Sequence, residues 1–260
     1  MLEDDFSYVL RKALAGNQLA PAQAAAQAGI TEHSVLAFLR GTFCAETARR
    51  LAPVLGLNPE AFAAHADYQP RPLALPQIRR LDLPFGKEQV NAWRLDAGNE
   101  AVLFDAGCSV GDLLHAFDPS GRRLPDRAFI THGHRDHIGG LDHLLKNDVP
   151  VHATHIPGTI AMKPGATVFC GPLIIRAVEL SGHFTPALGF LIEGLEVPAL
   201  VTGDALFAGS IGGCAAPATY QQALLHLRQA LAPLPDATVL MPGHGPATTL
   251  GEERRANPFL

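Results

Sequence analysis

Cysteine, net basic charge and long apolar runs are all scarce in this chain of 260 residues. The four cysteines (Cys44, Cys108, Cys170, Cys214) lie far apart and form no Cys-x-x-Cys pair. That excludes a disulfide framework and a cysteine zinc site. Charged residues are 17% of the chain and the net charge is −5, so a general nucleic-acid-binding surface is not expected. No uninterrupted apolar stretch approaches the ~18 residues of a membrane span. The opening Met1-Leu2-Glu3-Asp4-Asp5 has neither the basic start nor the apolar run of a signal peptide. A reduced, cytoplasmic protein with no membrane partner is expected. What is plentiful is apolar material, 47% of residues, enough for one large domain or one plus a small extra piece.

Residues 1–69 read as a small all-α domain. Phe6, Val9, Leu10, Ala13 and Leu14 recur at helical spacing. Pro21 suits the first turn of a second helix ending at Gly29, and Thr31 caps a third with Val35, Leu36, Phe38 and Leu39 on its apolar side. A fourth runs from about Glu46 to Leu55, and Asn58-Pro59-Glu60 caps a short fifth. The pattern resembles the helix-turn-helix domains of phage-repressor type, which implies a third helix that enters the major groove. Its residues here, Glu32, His33, Ser34 and Arg40, are poor equipment for phosphate contact, and the segment has five basic against seven acidic residues. A docking or homodimer-forming role therefore ranks above nucleic-acid binding. Prolines 70, 72 and 76 mark residues 70–76 as a linker.

Residues 77–260 alternate between short strands and helices, the pattern of an α/β sandwich of two sheets with helices outside. Expected strands are 78–83, 88–95, 100–104, 127–131, 149–153, 166–169, 172–180, 187–193, 197–202 and 237–241. Expected helices are 109–117, 141–146 and 218–231. After the strand at 127–131 comes Thr131-His132-Gly133-His134-Arg135-Asp136-His137-Ile138-Gly139-Gly140. Imidazole and carboxylate are the ligand set of zinc, and also of non-haem iron or manganese. Three further donors each follow a strand and a glycine: His183, Asp204 and His244. Glycine there lets backbone bend sharply and approach a centre closely. No serine nucleophile is read from the sequence.

The order His132-x-His134-x-Asp136-His137, then His183, Asp204 and His244, resembles the metallo-β-lactamase-fold superfamily. The strings from Thr202 to Gly212 and from Gly243 to Leu260 are similar to small bacterial glyoxalase II-like hydrolases. The resemblance implies an αββα sandwich. It further implies one metal on His132, His134 and His183, a second on Asp136, His137 and His244, and Asp204 bridging. Asp105 matches a position that orients a ligand. Two divalent ions, zinc foremost with iron or manganese open, would generate hydroxide to attack a small thioester or ester carbonyl, with Asp136 as proton acceptor. A mononuclear iron persulfide dioxygenase, a lactonase or phosphodiesterase on the same centre, and a metal-domain regulator with a DNA- or partner-binding module are the alternatives.

Three departures from the resemblance bear on the substrate. Gly213-Cys214-Ala215-Ala216 replaces a polar, charged element, Phe184 follows His183 where a threonine is usual, and only sixteen residues follow His244. A more apolar pocket is expected, without the C-terminal helical domain of larger glyoxalase II enzymes. His152 and His155 are candidates to border the cleft and Cys214 to line its mouth. His33, His65, His115, His143 and His226 are expected as ordinary imidazoles of helices.

Overall fold

The computed structural model describes residues 1–71, 75–120 and 123–260. Five short helices come first, and each boundary has a local cause. α1 (Phe6–Gly16) is capped by Asp5, whose carboxylate accepts from the Ser7 and Tyr8 amides at 2.7 and 3.1 Å. α2 (Pro21–Ala28) opens on proline and closes at Gly29, which takes a φ of 64°. Thr31 caps α3 (Glu32–Leu39), left-handed Gly56 ends α4 (Ala45–Leu55), and Asn58 caps α5 (Pro59–Ala64). These are the helices expected from apolar spacing. Isolated helices below roughly 12–15 residues are marginal in water, so tertiary burial must hold them. Val9, Leu10, Val35, Phe38, Leu51 and Phe62 are fully buried, and Phe38 packs between Phe6 and Phe62. Of the expected linker 70–76, Pro72, Leu73 and Ala74 lie outside the described residues.

Two six-stranded sheets follow. The first runs β1 (Ile78–Phe85), β2 (Glu88–Ala97), β3 (Glu100–Phe104), β4 (Arg127–Phe129), β5 (Val151–Ala153) and β6 (Ile160–Ala161) in spatial order. Its first three strands are antiparallel and the rest join in parallel. α6 (Val110–Phe117) connects β3 to β4, while α7 (Arg135–Ile138) and α8 (Leu141–Lys146) connect β4 to β5. The chain then forms β7 (Thr167–Cys170), β8 (Leu173–Glu179), β9 (Leu188–Glu193) and β10 (Ala199–Gly203). A two-stranded ribbon, β11 (Leu206–Phe207) and β12 (Ser210–Ile211), interrupts the sheet before α9 (Pro217–Leu231). β13 (Val239–Pro242) then pairs parallel to β10, and β14 (Thr248–Thr249) forms the second sheet's edge before α10 (Leu250–Ala256).

Alternation along the strands decides the layers. Trp93 and Leu95 of β2 face the second sheet and join Phe104, Phe129, Phe190 and Met241 between the sheets. Val90 and Ala92 of the same strand turn outward, to the cluster that contains Leu113 and Phe117 of α6 and Leu144 of α8. The outer residues of the second sheet, Leu191, Leu200 and Leu240, share one apolar cluster with α9, with Leu250 of α10 and with the N-terminal helices. The result is the expected αββα sandwich, with the helical segment laid over one outer layer. No described helix is long and apolar enough to cross a membrane.

Some elements have no counterpart in the sequence reading: α7, β6, the ribbon, β14 and α10. Strands of two residues are too short to display alternation. His65 and His226 also differ from expectation. His65 is 1% exposed and its Nε2 lies 2.9 Å from the Gly209 carbonyl oxygen. His226 Nδ1 lies 2.8 Å from that of Ser181. Helical spacing within one element is blind to a partner that the fold brings from elsewhere.

Candidate metal centre

The donors converge because four strands end on the same side of the sandwich. β4 hands on to Thr131, whose amide donates to Asp105 Oδ1 at 2.8 Å. The chain then crosses His132 and His134 into the single turn of α7, which carries Asp136 and His137. The following Gly139-Gly140 pair is required by close packing: a Cβ at either residue would strike the backbone of Cys108 or the side chain of Leu113. His183 follows β8, Asp204 follows β10 and His244 follows β13. Gly243 lets its strand end approach, because a Cβ there would collide with Asp204 Oδ1.

Two sets of donor atoms result, each gathered within 4.8 Å: His132, His134, His183 and Asp204 in one, Asp136, His137 and His244 in the other. His134 Nδ1 lies 3.0 Å from His132 Nε2 and 3.1 Å from His183 Nε2. His244 Nε2 lies 3.2 Å from Asp136 Oδ2. Asp204 stands between the sets, with Oδ1 3.3 Å from His137 Nε2 and Oδ2 3.6 Å from both His183 and His244 Nε2. Every residue singled out as a ligand from the sequence is therefore in the cluster.

Each of four imidazoles has its other nitrogen engaged from behind. His132 Nδ1 meets Thr131 Oγ1 at 3.0 Å, His137 Nδ1 meets Asp105 Oδ2 at 2.9 Å, His183 Nδ1 meets the Gly213 carbonyl at 2.6 Å, and His244 Nδ1 meets that of Gln89 at 2.9 Å. Such outer partners fix the tautomer that points the inner nitrogen's lone pair at a cation. Burial would raise Asp204, but the imidazoles of His137, His244 and His132 outweigh it and hold its carboxyl far below the usual range. Burial pushes His132 down to about 2, with His137 adding to the effect. Burial would also lower His244, and its bond to Asp136 and the charge of Asp204 lift it instead to about 9.

The residues fit a metal. His137 Nε2 and Asp204 Oδ1 are buried and face each other without a hydrogen bond. Inner nitrogens crowd to 3.0–3.1 Å, close to the separation of roughly 3.3 Å that two nitrogens take around one tetrahedral zinc at about 2.0–2.1 Å. The cluster can bind metal.

The metallo-beta-lactamase superfamily profile matches residues 85–175. Hydroxyacylglutathione hydrolase GloC of Haemophilus influenzae is 30% identical over 192 residues, covering 64% of this chain and 89% of that protein. This chain belongs to the metallo-beta-lactamase superfamily. A probable metallo-hydrolase of Bacillus subtilis, YqgX, is 26% identical over 204 residues, covering 68% of this superfamily member and 95% of the relative. The crystal structure of TTHA1623 in a di-iron-bound form superposes with a TM-score of 0.55 at 30% identity, covering 69% of this chain and 99% of that one.

Around this superfamily centre the walls are aromatic. The Phe184 ring lies 4.8 Å from His134 and 5.5 Å from His132, while Phe207 and Phe85 approach His244 at 5.9 and 6.2 Å. Sequence reasoning found Phe184 and missed Phe207 and Phe85, which carry no motif. It also missed residues 3 and 12: the Glu3 backbone packs on Gly245, and Lys12 Nζ donates to the Ile211 carbonyl at 2.7 Å. His152 stacks on Phe129 in the sheet, and neither it nor His155 joins the cluster. Cys214 packs against the apolar cluster of the N-terminal helices, and burial pushes its thiol up to about 11. One string does spell a nucleophile elbow, Gly107-Cys108-Ser109-Val110-Gly111. Its Ser109 instead caps α6, with Oγ accepting from the Asp112 amide, and no histidine bonds to it among the described residues.

Proposed function

We propose that this chain is a dinuclear metal-dependent hydrolase of a small thioester or ester. The observation that carries the reading is one carboxylate, Asp204, lying between two sets of imidazole-rich donors. His132, His134 and His183 would hold one ion and Asp136, His137 and His244 the other, with Asp204 placed to serve either set. Zinc suits this ligand set, and the di-iron form of the TTHA1623 relative supports occupancy by two ions.

Divalent cations bound there acidify a water and polarise a carbonyl oxygen. Asp136 would accept a proton from a water held at the centre. In the metal-free protein burial would raise its carboxyl, but the bond from His244 and the charge of His137 keep it below the usual range. Phe184, Phe85 and Phe207 favour an acyl group without charge. The acylated thiol in the name of the Haemophilus relative favours a thioester.

The test is elemental analysis of protein purified without chelator or histidine tag, followed by an acyl-thioester panel read by thiol release. About two zinc per chain and thiol release are expected, both lost in Asp204→Ala. About one iron per chain with oxygen uptake would replace the hydrolase by an oxygenase. Full turnover by Asp204→Ala would sink the assignment.

A further inference from the structure

We propose that the N-terminal helices form part of the scaffold of the metal centre, and that Lys12 of α1 is a positioning residue for His183. The proposal rests on the reading of His183 and Asp204 as ligands. Its starting point is the β11–β12 ribbon, which begins two residues after Asp204 and ends two residues before Gly213. The Gly213 carbonyl oxygen holds His183 Nδ1 at 2.6 Å. Between them Gly212 is wedged so tightly that a Cβ would collide with the Asp204 carbonyl oxygen and the His183 side chain. A small shift of this ribbon therefore moves the backbone of one donor and the anchor of another.

The ribbon is gripped from two sides. α10 supplies Glu253 and Asn257: Glu253 Oε2 accepts from the Gly209 amide at 2.8 Å, and Asn257 Nδ2 donates to the Ser210 carbonyl at 3.1 Å. Residues 1–68 supply the other side. Lys12 Nζ donates to the Ile211 carbonyl at 2.7 Å, lies 5.3 Å from the Phe207 ring centroid, and is paired with buried Asp4. His65 Nε2 bonds the Gly209 carbonyl, and Tyr68 Oη donates to Glu253 Oε1 at 2.6 Å. A helical module serving only as a recognition unit has no need to hold the segment between two ligands. These contacts come from α1 and the end of the module, while exposed Glu32 and His33 of α3 take no part.

Lys12→Met keeps an unbranched apolar stem over Phe207 and removes the donor and charge. Metal binding to the full-length variant is measured by titration of zinc against a chromophoric chelator, beside the parent, His183→Ala, His244→Ala and Lys12→Arg. Lys12→Met should weaken the equivalent that His183→Ala loses by about tenfold, the lower end of what loss of an outer partner costs, and affect the other equivalent less. Lys12→Arg should restore most of that affinity. Loss of one equivalent in His183→Ala upholds the ligand reading, and the Lys12→Met result then decides the inference alone. Unchanged affinity in Lys12→Met, or equal weakening of both equivalents, overturns it, whatever happens to the melting temperature. Two intact equivalents in His183→Ala would remove the ligand reading and this proposal together.

Discussion

Asp105 contributes no atom to either donor set, yet it governs two imidazoles. Its Oδ2 holds His137 Nδ1, and both oxygens accept from Thr131 Oγ1, which in turn meets His132. The backbone pays for this aim with a φ of 59°, a conformation Asp and Asn tolerate better than most residues. Asp105→Asn keeps shape and backbone but offers an amide that can present a donor to His137. It should cost about 10–100-fold in metal affinity by chelator competition, and unchanged affinity would mean that something else aims His137. His244 sets a pH dependence. In the metal-free protein its imidazole sits at about 9, above the ordinary 6.5. Its stabilising contribution is therefore complete below about 6.5 and lost as pH rises through about 9. A metal needs the neutral ring, so affinity should strengthen as pH rises toward about 9, with proton release on binding at pH 7.5. Calorimetry in two buffers of different ionisation enthalpy measures that release, and none would contradict the shift. The donors were legible in the sequence because His-x-His-x-Asp-His is chemically rare. Lys12, Phe85 and Phe207 were not, since an ordinary lysine or phenylalanine acquires its meaning only from what folds beside it.

At the scale of elements, legibility followed length and alternation. β2, β8 and β9 run for six residues or more, β8 with alternating burial, and were read nearly to their ends. The ribbon and α10 escaped, although Thr249, three residues ahead of Glu252 and accepting from its amide, spells a helix start. α10 matters because Glu253 is fully buried and satisfied on both oxygens: Tyr68 and Thr248 donate to Oε1, Gly209 and Asn257 to Oε2. Glu253→Ala would leave the buried Gly209 amide without an acceptor and take one bond each from Asn257, Thr248 and Tyr68, which keep other partners. One buried orphan costs about 1–3 kcal/mol, so with the weakened bonds of the other donors a loss of about 2–3 kcal/mol is expected. Urea unfolding measures it. A loss below about 1 kcal/mol would show that water replaces the carboxylate and that the ribbon is held by other means.

At the scale of the molecule the question is whether residues 1–69 unfold with the sandwich or apart from it. The Pro-rich stretch at 70–76 argues for a boundary. The apolar cluster that joins Leu10, Phe38 and Leu55 to Tyr220, Leu227 and Leu240 argues for a shared core. A boundary in the chain and a continuous core are compatible, because a linker sets covalent connection and burial sets cooperativity. The chain offers a clean experiment, since Trp93 is its single tryptophan and lies in β2 with its indole bonded to the Pro242 carbonyl. Trp93 fluorescence thus reports the sandwich alone, while far-UV circular dichroism near 222 nm also follows the five N-terminal helices. Phe38→Ala, placed inside the helical segment far along the chain from Trp93, should cost about 3–5 kcal/mol. If the cluster couples the two parts, fluorescence and dichroism will move together to one lower urea midpoint. If the helices melt first, dichroism will shift while the Trp93 transition stays where it was, and the helical segment would then be a unit that the metal centre does not need for its fold. Coincident curves would instead make the loss of those helices a loss of the centre, as the grip of Lys12 and His65 on the ribbon requires.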